Sequence, residues 1–329
     1  MSGNITSFLL LNIRDEMKEC RRVLQEEFQS DIELISDIHS HLLQRPGKMF
    51  RPAIVIVSAK ICGCKNIGSM ARVAAVIEML HNATLIHDDV IDNADSRRGQ
   101  TSVHQKWDRQ SSVLMGDYLY AKSLRILLKE NSLELMKILG QATVQMCEAE
   151  MYQQQMGFNA DINEEQYFRL IDGKTAALVS AGCQLGASLS PETNQRLKDA
   201  FRNFGKLIGI AFQIIDDLFD YTTDSNRIGK PVGHDLIEGK VTLPLIFTLT
   251  QLPSSEREKI CKSIETRDIT PEIWCHIKTK VKKYGGVDYA RTQANRFINE
   301  AIELTNIFPQ SVFKVSITHL ARYVLKRTT

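Results

Sequence analysis

No proline occurs between Pro52 and Pro191, so nothing in that stretch interrupts a helical hydrogen-bond ladder. Segments that alternate apolar and polar residues between turn signals are also missing, which argues against a sheet. Neither sign of charge is in excess. With 41 basic and 39 acidic residues the net charge is +2, and no global field draws the chain to nucleic acid or to an acidic membrane surface. The seven cysteines are scattered and odd in number. Cys62-Gly63-Cys64 is too tight for zinc spacing and has no second Cys/His pair, so free thiols in a reducing cytoplasm are expected. No apolar run is long enough to span a bilayer, and Phe8-Leu9-Leu10-Leu11 lacks the basic flank of a signal peptide. These absences predict a cytoplasmic, helical protein that does not span a membrane. No Ser/His/Asp or Cys/His arrangement suggests a nucleophile.

What is present is an ordinary globular composition, 43% hydrophobic and 24% charged, carrying one acidic pattern twice. His87-Asp88-Asp89-Val90-Ile91-Asp92 follows the apolar stretch Ala74 to Ile86. In a helix Asp88 and Asp92 share a face, with Asp89 about 100° round. Like charges at that spacing weaken a helix unless a cation neutralises them. Mg²⁺ suits the cluster, because it takes one or two carboxylates and shares itself with water and substrate phosphates. Arg97 and Arg98, just beyond, are suited to phosphate oxygens. The pattern returns 128 positions later as Asp216-Asp217-Leu218-Phe219-Asp220, again closing an apolar run. One copy is weak evidence; two are hard to dismiss.

Taken in order, residues 1–45 read as amphipathic helices, with Ile13, Met17, Cys20 and Leu24 at helical spacing, and suit packing or dimer contact. Pro46 to Pro52 break the chain and start a helix, with Lys48 and Arg51 on one face near its positive end; an anion site and a solvated turn both fit these residues. Met70 to Asp92 reads as one helix on the order of 35 Å long. His81 lies two turns below Asp88, where a satisfied core histidine is the commoner outcome. Within the helical pattern Glu164 to Leu185, Asp172-Gly173-Lys174-Thr175 marks either a kink or a packing glycine. Phe201 to Asp220 forms the second long helix. The loop after it carries glycines with Lys230 and Lys240, the composition of a cover over a phosphate site. No linker is visible, and the expectation is a single all-helical domain over residues 1–329.

With these motifs assembled, the chain resembles the trans (E-type) polyprenyl diphosphate synthases, particularly those making octaprenyl-like chains. The resemblance covers roughly residues 45–325. Besides the two aspartate motifs it rests on Gly47-Lys48-x-x-Arg51-Pro52, Arg97-Arg98-Gly99, Gly116-Asp117-Tyr118-Leu119, Lys174-Thr175-Ala176, Phe212-Gln213 and Gly229-Lys230-Pro231-x-Gly233. It implies an all-α antiparallel helix bundle around a deep central cavity, usually a homodimer, with the two aspartate-rich ends facing each other at the cavity mouth. It also implies that Asp88, Asp89, Asp92, Asp216, Asp217 and Asp220 hold Mg²⁺ on an allylic diphosphate. Arg97, Lys174, Thr175, Gln213 and Lys230 become further ligands of that group. Lys48, Arg51, His81 and Arg98 become the isopentenyl diphosphate site, which reverses the bland reading of His81. Lys240 joins the substrate-binding candidates, and Thr175 and Gln213 are candidate dipoles for an allylic cation.

In this resemblance the growing chain runs down the helix that ends at Asp88. The residues one turn below are Thr84 and Ala83, and no aromatic occurs from Ala71 to Ile91. A farnesyl-type enzyme is expected to floor its pocket there with rings. The expectation is therefore a medium-to-long product, with Leu80 and Met79 as the next possible floors, destined for a quinone side chain. Alternatives are a short-chain farnesyl or geranylgeranyl synthase, a terpene cyclase, a non-catalytic partner subunit, or the catalytic half of a heteromeric synthase. His234, and Val103-His104 before Trp107, depart from the pattern without touching the proposed metal ligands.

Overall fold

A computed structural model of the chain describes residues 12–44, 47, 49–97, 99–222 and 233–326. Arg14–Glu27 (α1) and Glu33–Leu43 (α2) precede Phe50–Ile61 (α3) and the 25-residue Ile67–Ile91 (α4). A short hairpin, Ser96–Arg97 (β1) and Gln100–Thr101 (β2), leads to Val103–Lys106 (α5), Arg109–Leu128 (α6) and Leu133–Met156 (α7). Glu164–Ile171 (α8) continues through a π-helical turn, Asp172–Ala176, into Ala177–Ser188 (α9). The 28-residue Gln195–Thr222 (α10) follows. His234–Ile237 (α11), Leu243–Gln251 (α12), Ser254–Glu265 (α13), Pro271–Lys283 (α14), Gly286–Leu304 (α15) and Val312–Leu325 (α16) complete the order.

The helix ends have local causes. Asn66 caps α4, its side chain accepting the Ser69 N–H at 3.0 Å. At the other end Asn93 turns left-handed, at φ +51°, and the Ala94 N–H closes back on the Asp89 carbonyl at 2.9 Å. That Schellman-type closure stops the helix with its three aspartates at the last turn. Asn163 and Gln166 cap α8 reciprocally, each side chain accepting the other's backbone N–H at 2.9 Å.

The chain packs as two compact units. The first comprises Met1–Gln141, Leu178–Asn203 and Thr305–Leu320. Its centre is α4, which packs chiefly on α6 and then on α1 and α3. Met70, Ala71, Val73, Ala74, Ala75, Val76, Ile77 and Met79 have no solvent exposure, so this helix needs apolar residues all round rather than one stripe. Each large side chain buried there stabilises the unit by about 1.5–3 kcal/mol. On α1, Met17, Cys20 and Leu24 are buried, with Ile13 just ahead, at the spacing the sequence predicts. The buried Glu16 is paired with Lys60 of α3.

The second unit comprises Ala142–Ala177, Phe204–Leu304 and Ala321–Thr329. In it α12 packs against α15, α14 and α8. Phe247 stacks on Tyr289 at 4.1 Å, and Tyr221 leans on Trp274 at 5.2 Å.

The hairpin departs from a strand-free expectation. Ser96 pairs with Thr101 and Arg97 with Gln100, a ladder too short for period-two alternation to register. The seven cysteines are free thiols. Among the described residues no helix is long and apolar enough to cross a membrane.

Candidate active site

In the first unit the acidic pattern sits at the negative end of α4, where the helix dipole itself disfavours carboxylates. The middle aspartate turns inward: Asp89 is 4% exposed, while Asp88 and Asp92 are partly exposed. Arg97 answers it from β1, its Nε donating to Asp89 Oδ1 at 2.5 Å. His87, beside the pattern, meets α6 at the Val113 carbonyl, 3.1 Å away. Gly116 of α6 leaves room for that ring, since a Cβ there would lie 2.1 Å from His87 Nε2. The glycine of the Gly116-Asp117-Tyr118-Leu119 motif thus has a steric reason.

In the second unit the equivalent aspartate is handled without an arginine. Asp217 is 6% exposed. The Tyr167 hydroxyl donates to its Oδ2 at 2.6 Å, and Gln213 Nε2 donates to Oδ1 at 2.7 Å. Gln213 is itself oriented by the Thr175 hydroxyl, which donates to Gln213 Oε1 at 2.6 Å. Burial pushes the Asp217 carboxyl up to about 7. The two hydrogen bonds oppose that rise and the charges of Asp216 and Asp220 add to it. Asp235 stands close by, its backbone N–H donating to Asp220 Oδ2 at 3.0 Å. Burial, then the Asp220 and Asp217 charges, raise its carboxyl well above the usual range. Tyr167 is shifted the same way, first by burial and then by Asp217.

The π-helical turn presents Lys174 and Thr175 to this cluster, and such turns recur at functional sites. Both readings of Gly173 hold. The helix is distorted there, and a Cβ would meet Ala149 Cβ at 2.6 Å. A cleft of about 130 Å³ opens here, its lining including Tyr167, Lys174, Thr175, Gln213, Asp217 and Lys240. Each lysine is held by a glutamate, Lys174 by Glu150 at 2.5 Å and Lys240 by Glu238 at 2.6 Å.

Among the described residues, no three acidic, histidine or cysteine side chains converge to hold an ion by themselves. Each acidic helix end instead offers carboxylates at i and i+4. That donor set fits Mg²⁺, which takes one or two carboxylates and fills its remaining positions with water and phosphate oxygens.

Chain comparisons identify the family. The polyprenyl synthetase family model matches residues 32–275. The chain belongs to that family. It is an enzyme that transfers prenyl groups, with the all-α isoprenoid synthase fold. Component 2 of heptaprenyl diphosphate synthase from Bacillus subtilis is 34% identical, over 96% of this chain and 89% of the relative. The geranyl-diphosphate-specific all-trans-nonaprenyl-diphosphate synthase of Rhodobacter capsulatus is 33% identical over 97% of each chain. A crystal structure of a polyprenyl synthase from Caulobacter crescentus, complexed with calcium and isoprenyl diphosphate, superposes with a TM-score of 0.93. It is 29% identical and the match covers 98% of each chain.

The synthetase's remaining sequence candidates are placed as follows. Arg51 lies in the first turn of α3, and His81 lies on α4 two turns below Asp88. Ala83, Leu80 and Met79 are buried on α4, and the Thr84 hydroxyl donates to the His81 carbonyl at 2.9 Å. Lys48, Arg98 and Lys230 lie outside the described residues. Sequence reasoning missed Tyr167, Glu150, Glu238 and Asp235. Asp235 and Glu238 lie within the loop between Lys230 and Lys240 that the composition singles out, whereas Tyr167 is 50 positions from the aspartate it touches.

Proposed function

We propose that this synthetase condenses isopentenyl diphosphate repeatedly with an allylic diphosphate, farnesyl or geranylgeranyl, to a medium-to-long, octaprenyl-like all-trans polyprenyl diphosphate. The observation that carries this reading is that both long apolar helices end on the same acidic pattern, each beside basic side chains. Mg²⁺ bound at Asp88, Asp89 and Asp92 and at Asp216, Asp217 and Asp220 would neutralise the charge that builds on the leaving diphosphate. Arg97, Lys174, Lys230 and Lys240 bind phosphate oxygens of the allylic substrate. For Lys174 and Lys240 the anion replaces a glutamate partner. Lys48, Arg51, His81 and Arg98 hold isopentenyl diphosphate. Thr175 and Gln213, locked to each other, turn their oxygens toward the allylic cation, and the aromatic-free α4 lets the product lengthen past Ala83 and Thr84 toward Leu80 and Met79. The two units work as one synthase domain, and two copies form a homodimer.

The test is incubation of the protein with Mg²⁺, labelled isopentenyl diphosphate and farnesyl diphosphate, then chromatography of the dephosphorylated products. A ladder ending at one long prenyl alcohol supports the reading, and a ladder ending at C15 or C20 overturns the length. The second reading, a catalytic half that needs a partner subunit, is favoured by the name of the Bacillus subtilis relative, a component 2. No incorporation by folded protein with several primers selects it.

A further inference from the structure

The hairpin that carries Arg97 has only two residues per strand, and an isolated pair of this size is at best marginal in water. Something outside it must fix where Arg97 stands. That anchor is α2. His41, in its last turn, is 8% exposed, and its Nε2 lies 2.8 Å from the Thr101 carbonyl on β2. A carbonyl only accepts, so Nε2 donates, and Nδ1 faces Lys106, which only donates. Lys106 Nζ sits 3.3 Å from that Nδ1 and donates to it. The imidazole and the Trp107 indole lie nearly perpendicular, ring centroids 5.4 Å apart, and Lys106 lies over the same indole at 4.6 Å. Both ring nitrogens are therefore occupied, and the ring is packed, in one orientation. Thr101 pairs with Ser96, whose neighbour Arg97 reaches Asp89. A cleft of about 60 Å³ lies beside this chain of contacts, bordered by His41, Asn82, Asp89 and Arg97.

We propose that His41 is a positioning residue for the first acidic cluster, holding Arg97 on Asp89 through the hairpin without touching substrate. This rests on the reading of Asp89 and Arg97 as part of the diphosphate site. Outer contacts of this kind typically change affinity about 10–100-fold when removed. A histidine that merely fills space predicts a loss of stability and no selective change in substrate affinity.

The experiment compares His41→Leu, His41→Gln, Arg97→Gln and the double variant His41→Leu/Arg97→Gln. It reads KM for farnesyl diphosphate, kcat and Tm. Expected is a rise in KM of about tenfold for His41→Leu with kcat nearly unchanged. His41→Gln restores most of it, because the amide Nε2 can reach the same carbonyl. In the Arg97→Gln background His41→Leu adds nothing, since contacts acting through one residue are not additive. If His41→Leu does not fold, Lys106→Met carries the same comparison with a smaller rise. Full additivity in the double variant, or an unchanged KM in folded His41→Leu while Arg97→Gln is impaired, overturns the link from His41 to Arg97. An Arg97→Gln variant with unchanged KM overturns the reading of the cluster, and the proposal with it.

Discussion

The ends of α4 and α10 carry the same five-residue pattern, with the middle aspartate buried and its neighbours partly exposed. They differ in what faces that aspartate. Asp89 meets a guanidinium, so its negative charge is matched before any ligand arrives. Asp217 meets a phenol and an amide, which donate hydrogen bonds but bring no charge. The first end is thereby charge-matched within the fold. The second sits near its own titration point at neutral pH and gains most from an incoming cation. The helices leading to the two ends differ as well. Ala71 to Ile91 holds no aromatic, whereas α10 buries Phe201, Phe204 and Tyr221. A repeated sequence pattern therefore specifies shared geometry and leaves its electrostatics to the surroundings.

The sharpest attack on this comparison is to remove each middle aspartate. Asp89→Ala and Asp217→Ala should each lower kcat/KM about a thousandfold in the incorporation assay, and an effect at only one end would break the functional equivalence. The next separates the ends by pH without metal. The folded Asp217 carboxyl titrates near 7, well above its unfolded range. Its protonated form thus favours the fold, fully at pH below about 4 and not at all above about 7. Chelated protein should lose up to about 4 kcal/mol of stability from this group as pH rises across that window. Asp217→Asn should flatten that limb in urea melts; Asp89→Asn should leave it in place.

Smaller effects come from the partners. Arg97→Gln should raise KM for the allylic diphosphate about tenfold or more, through a lost charge-assisted contact. Tyr167→Phe removes one of the two bonds that hold the Asp217 carboxyl down, so the acid limb of the kcat/KM profile should move up by about one pH unit. If Tyr167→Phe instead changes only Tm, the phenol is structural. Least costly in rate is Ala83→Phe on the aromatic-free α4. It should shorten the product by at least one isoprene unit with total incorporation little changed, as product chromatography will read.

Much of this molecule is local and so legible in sequence. The helical class, the apolar α4 and α10, and the two acidic ends follow from periodicity. The expected Met70 to Asp92 became Ile67–Ile91, and Phe201 to Asp220 became Gln195–Thr222. The α4 shift arises because Asn66 and Asn93 set its ends by capping, which periodicity alone does not measure. The Gln213–Asp217 bond is an i, i+4 contact and was within reach of helical spacing.

The sequence by itself determined where the candidate carboxylates and lysines stand along the chain, because those of each motif are neighbours along one helix or one loop. Tertiary structure alone decided their partners. Tyr167 reaches Asp217, Glu150 occupies Lys174, and His41 pins a hairpin 60 positions away. Burial and long-range hydrogen bonds are properties of the packed chain, and they set whether a buried aspartate faces a guanidinium or only neutral donors.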